Sequence, residues 1–113
     1  MPSSTNFHFP AAATAQAPNQ PGHLSPEILR RGELELRYYA PKGSDPQTPH
    51  TRDEVYVVAS GNGTFVCAGE SVAFKTGDAL FVPAHVEHRF EAFSDDFAVW
   101  VMFYGPEGGE HLG

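Results

Sequence analysis

Thr48-Pro-His50-Thr-Arg-Asp-Glu54-Val-Tyr56-Val-Val-Ala-Ser-Gly61 and Gly77-Asp-Ala-Leu-Phe-Val-Pro83-Ala-His85-Val-Glu-His88-Arg-Phe90 are the two stretches on which the fold turns. Each mixes β-branched and aromatic residues with Gly, Pro or Asp at its ends, which is strand composition bounded by turn composition. On a regular strand, residues an even number apart share a face, so His50, Glu54 and Tyr56 are expected to point into one cavity and Asp53 away from it. His88 opens a later strand and carries Phe90 inward on the same parity. Outward from these stretches the pattern continues. Leu34, Leu36 and Tyr38 alternate with Glu33, Glu35 and Arg37, as for a strand wet on one face. Gly61-Asn62-Gly63 predicts a tight hairpin between Glu54–Ser60 and Thr64–Cys67, because Asn-Gly supplies positive φ angles. Further strands are expected at Ser71–Lys75, Ala79–Val82 and His88–Phe93, with Phe97–Tyr104 apolar enough to be buried on both faces. Pro41–Pro49 is expected to be a loop. Ser25-Pro26-Glu27 has the form of a helix N-cap with Pro in the first turn, predicting one helical turn to Arg30. Seven or so short strands indicate an all-β barrel or sandwich.

The chain has 113 residues, 41% of them hydrophobic, enough to bury one core. Residues 1–26 hold half of the prolines and an Ala-rich stretch, so they are expected to form an arm, with residues 27–113 as one β-barrel domain. Phe7 and Phe9 are the arm's natural anchors. The reading lays the arm, from Met1 to about Gln20, across the sheet of a second copy in a homodimer. A formal charge of -7, with the cations scattered, disfavours nucleic acid and anionic membrane as partners. No apolar run is long enough for a membrane span, and the N-terminal stretch has no basic start, so a cytoplasmic location is expected. Cys67 has no second cysteine to pair with and reads as a small buried apolar residue.

His50, Glu54 and Gly61 in the first stretch, and Gly77, Pro83 and His88 in the second, fall at the intervals of the paired motifs of the cupin superfamily, which the chain resembles over about residues 33–104. The resemblance implies a small single-domain cupin of the cupin 2 type: a jelly-roll barrel of six to eight strands whose mouth holds a metal, here with His50, Glu54 and His88 as ligands. Thr48 stands where the family usually has its first His, His85 where it has Gly, and Ala92 where it has Asn. Thr48 shares the strand face expected for His50 and is the natural place for a fourth ligand. Gln47 could substitute if a kink at Pro49 overcame its opposite parity.

Two His and one carboxylate with open positions suit Fe(II) oxygen chemistry, and Mn, Ni or Zn would also fit. The expected function is a metal-dependent enzyme acting on a small organic molecule, of dioxygenase, isomerase or lyase type, with any acid or base supplied by Tyr56 or another cavity residue. The rival reading is a non-catalytic module that binds a sugar or other small ligand in the same cavity. A ligand-sensing regulator is disfavoured, since the sequence has no helix-turn-helix pattern. His85 is expected to be a solvated loop residue, and His8, His23 and His111 are assigned no role.

Overall fold

The computed structural model describes residues 7–19 and 21–110. After a single helical turn, α1 (Ala11–Thr14), the chain forms β1 (Glu27–Arg31), β2 (Leu34–Tyr39), β3 (Asp53–Ser60), β4 (Asn62–Cys67), β5 (Glu70–Lys75), β6 (Ala79–Val82), β7 (His88–Glu91) and β8 (Ala98–Tyr104). They make two antiparallel sheets, one ordered β1-β2-β8-β3-β6 and the other β5-β4-β7. The architecture is a jelly-roll sandwich; among the described residues no strand pairing joins the sheets into a closed barrel. β8 lies at the centre of the larger sheet, which is why its sequence is apolar almost throughout. Tyr56, Val58, Phe65, Phe74, Val82, Phe90, Phe97 and Val99 fill the space between the sheets.

Several local expectations are corrected. Glu27–Arg31 is a strand, not a helical turn: pairing with β2 satisfies its backbone groups along the whole segment, which one isolated turn would not. Ser25 does not cap anything; its Oγ accepts from Arg37 Nε at 2.9 Å. Gly61-Asn62-Gly63 is not a hairpin, since β3 pairs with β6 and β8 while β4 pairs with β5 and β7. It is the corner at which the chain leaves one sheet for the other. The glycines serve close approach there: a Cβ on Gly61 would lie 2.6 Å from Phe97 Cα, and one on Gly63 2.8 Å from Phe93 Cα. The two-residue hairpin falls instead at Ala68-Gly69, where φ is positive at both positions, 53° and 82°.

The faces of β2 are also the reverse of the expectation. Cross-strand pairing aligns Glu35 with Phe103 and Phe103 with Glu54, and in the next inward row Arg37 with Val101 and Val101 with Tyr56. The charged side of β2 therefore faces the space between the sheets. Leu36 and Tyr38 face outward, on the side of Trp100 and Met102. Phe9 from the arm lies on this outer face of its own chain, against a hollow lined by Leu36, Val57, Trp100 and Met102. Residues 1–6 and 20 of the arm, and His111, lie outside the described residues.

Candidate metal centre

Glu54 enters from the start of β3 in the larger sheet and His88 from the start of β7 in the smaller one, so the two sheets face each other through a carboxylate and an imidazole. His50 reaches the same point from the loop before β3. That loop is not strand, so parity does not place His50; a backbone bond does, from His85 N to the His50 carbonyl at 2.6 Å. Glu54 Oε1 lies 3.3 Å from His88 Nε2 and 3.7 Å from His50 Nε2, and the two imidazole centroids are 5.2 Å apart. One nitrogen from each ring and one carboxylate oxygen all fall within 4.8 Å of one another.

The chemistry of these atoms fits a divalent cation. His88 Nδ1–H donates to the Val86 carbonyl at 2.8 Å, which fixes the tautomer of the neutral ring and leaves Nε2 as a bare lone pair. Glu54 Oε1 and His88 Nε2 are both buried, and neither has a hydrogen-bond partner. Two acceptors left this way cost about 1–3 kcal/mol each, and a shared cation would satisfy both. Donors at about 2.1 Å from one ion and 90–109° apart are about 3.0–3.4 Å from each other, close to the separations seen here.

Electrostatics sharpen the assignment. Burial pulls the His50 pKa down, outweighing the pull of the Glu54 charge. Burial acts the same way on His88, but Glu54 beside it and the Val86 carbonyl together overcome that effect, and its pKa is raised. Tyr56 is completely buried, and burial first, with the Glu54 charge second, holds its hydroxyl pKa well above the ordinary value. Tyr56 is therefore a neutral hydrogen-bond donor, not a base; its hydroxyl donates to Gln47 Oε1 at 3.0 Å.

The site is walled by residues that the sequence did not single out. A cavity of about 220 Å³ is lined by His50, Glu54, Tyr56 and Gln47 together with Arg37 and Tyr39, and the segment 22–25 lies at its edge. Thr48 is exposed and does not belong to the site, because no strand runs through it. Gln47 does belong. Asp45 organises this loop, accepting from Gln47 Nε2 at 2.6 Å, from Phe90 N at 2.8 Å and from the Tyr39 hydroxyl. Asp53 lies on the face opposite Glu54, as parity predicts, but is covered there and accepts from Ala84 N at 2.9 Å and Glu110 N at 3.0 Å. Those two bonds hold its pKa down. The cations are not scattered here: Arg37, Arg30 and Arg52 converge on Glu35 at 2.6, 3.0 and 3.5 Å. His85 is exposed, with φ of 69°. Cys67 is half-buried against the core, and burial pushes its thiol pKa up, so nothing activates it.

This arrangement, a jelly roll with imidazoles and a carboxylate meeting between its sheets, defines the class. The chain belongs to the cupin family: the cupin domain matches residues 35–104. It is 33% identical over 103 residues to an uncharacterized protein of Streptomyces coelicolor, covering 89% of this chain and 96% of that one. It is also 32% identical over 73 residues to the HTH-type transcriptional activator RhaS of Yersinia pestis, covering 65% of this chain and 27% of the activator. Among solved structures, a cupin-2 domain containing protein from Shewanella frigidimarina superposes with a TM-score of 0.61 at 18% identity, covering 77% of this chain and 84% of that one. No helix among the described residues is long and apolar enough to cross a membrane.

Proposed function

We propose that the chain is a metal-dependent cupin enzyme in which His50, Glu54 and His88 hold one divalent cation and a small organic molecule enters the adjoining cavity. The observation that carries this reading is the pair of buried, unpartnered atoms, Glu54 Oε1 and His88 Nε2, 3.3 Å apart across the two sheets. Fe(II) suits the donor set, as do Mn, Ni and Zn, and such an ion supplies a Lewis acid and, for Fe(II), a centre for O₂ chemistry. The chain's own residues would do the rest. Val86 holds the His88 tautomer, Tyr56 offers a neutral O–H, and Val101 and Phe103 exclude water from the apolar side of a cavity large enough for a small metabolite. The reaction is assigned as oxidation by O₂ or as redox-neutral isomerisation or elimination.

Elemental analysis of protein purified without added metal tests the site, with one equivalent per chain expected and His88→Ala expected to lose it. O₂ uptake by the Fe(II) form with a panel of phenols, thiols, sugars and keto acids then separates oxidation from redox-neutral chemistry. A second reading, a non-catalytic module that holds a small ligand in the same cavity, is favoured by the similarity to part of the RhaS activators. It predicts ligand binding with no turnover. The proposed assembly is a homodimer formed through the apolar outer face of the larger sheet, where Phe9 lies beside Trp100 and Met102.

A further inference from the structure

We propose that Gln47 is a fourth ligand of the centre, through its side-chain oxygen; this rests on the metal-binding reading of His50, Glu54 and His88. The amide's orientation is chemically forced. Nε2 donates to Asp45 Oδ2 at 2.6 Å, and an exchanged amide would set two oxygens against each other there. Asp45 is itself fixed, by Phe90 N on β7 and by the Tyr39 hydroxyl on β2, and it also accepts from Gln47 N at 3.3 Å. With its nitrogen committed, Gln47 turns Oε1 toward the site, 3.3 Å from His50 Nε2 and 3.0 Å from the Tyr56 hydroxyl.

An amide oxygen carries two lone pairs, and Tyr56 uses one. The other faces His50 Nε2 and serves a cation when His50 presents its own lone pair to the same ion. The Gln47–His50 separation equals that between Glu54 and His88, which is the spacing of two neighbouring donors on one ion. The resulting set of two imidazoles, one carboxylate and one amide oxygen is harder than an imidazole-rich set, which favours Fe(II) or Mn(II) over Cu. Asp45 is then a positioning residue, acting through Gln47. A purely structural Gln47, bridging Asp45 and Tyr56, would make the same hydrogen bonds without touching the ion, and the two roles separate by experiment.

The full-length protein is loaded with Co(II), whose affinity is read by competition with a chromophoric chelator and whose coordination is read from its visible absorption. Gln47→Ala should weaken Co(II) by more than about tenfold and change the absorption intensity, since even outer partners of ligands are worth 10–100-fold. Tyr56→Phe, which removes an outer partner but leaves Oε1 in place, should keep the parent's absorption whatever affinity it loses. A second measurement needs no variant. In the parent labelled with ¹³C at its glutamine carboxamides, Zn(II) should shift the Gln47 signal and leave those of Gln16 and Gln20 in place. Unchanged affinity and absorption in Gln47→Ala, or an unmoved Gln47 signal in protein that has bound Zn(II), would overturn the assignment while leaving the three-residue site intact. A parent that binds neither ion would overturn both.

Discussion

Glu54→Gln separates stability from metal binding more cleanly than any other substitution at the centre. In the metal-free protein Glu54 Oε1 and His88 Nε2 lie 3.3 Å apart as two buried acceptors with nothing between them. The substitution keeps the side chain's size and replaces an oxygen with an N–H donor, which can bond to His88 Nε2 and removes a buried charge. Each unpaired acceptor costs about 1–3 kcal/mol, so pairing the two should stabilise the metal-free protein by about 1–3 kcal/mol. For a chain of this length that is about 4–12 °C in Tm. The measurement belongs in alkaline buffer, where His88, despite its raised pKa, is neutral and forms no ion pair with Glu54. Metal should act in the opposite sense. At a free concentration one hundred times Kd the parent gains about 2.7 kcal/mol, and the variant, having lost its anionic ligand, should gain almost none. Thermal unfolding of both proteins, with and without the metal, gives all four values. A metal-free variant less stable than the parent, or a metal-induced shift equal in the two, would refute the argument that Glu54 and His88 are held apart for a cation.

Three further outcomes are expected. Gly61→Ala should cost about 2–5 kcal/mol by chemical denaturation, combining positive φ with a 2.6 Å approach to the Phe97 backbone, whereas Gly69→Ala, at similar φ in open space, should cost only about 1–2 kcal/mol; equal losses would count against the corner. The Asp53 pKa is lower in the folded chain than in the unfolded one, so its contribution is complete above the unfolded value of about 3.9 and disappears as pH falls through the folded value. Asp53→Asn should therefore be less stable than the parent at pH 7 and converge with it in acid, and a pH-independent difference would exclude the carboxylate as the cause. Sedimentation should show a dimer at micromolar concentration that weakens when residues 1–10 are deleted, and a monomeric parent would remove the homodimer from the proposal.

What could be read from the sequence followed from how regular each segment is. β3 is a regular strand from Asp53 to Ser60, so parity correctly put Glu54 and Tyr56 on one face. The same argument misplaced Thr48 because the chain before Asp53 is loop, and His50 arrived at the site through the His85 N bond instead. Gly61-Asn62-Gly63 has the composition of a hairpin and also that of a corner. Which one forms depends on the backbones of Phe93 and Phe97, remote in sequence and invisible to any local rule. Alternation along β2 marked two faces without saying which was inside, since a strand shows its period but not its direction.

That ambiguity bears directly on function. In an ordinary sandwich the apolar face of β2 would turn inward and the polar face would meet water. Here Arg37, Glu54 and His88 are all buried, while Leu34 and Phe81 are exposed on the opposite side. Turning charged groups inward is unfavourable unless each finds a partner, and Arg37 has Glu35 and Ser25. Glu54 Oε1 and His88 Nε2, like Arg52 Nη2, are buried without a hydrogen-bond partner. Of these atoms only Glu54 Oε1 and His88 Nε2 are acceptors, and with His88 neutral they face each other at 3.3 Å with lone pairs that a cation arriving from outside the chain would satisfy.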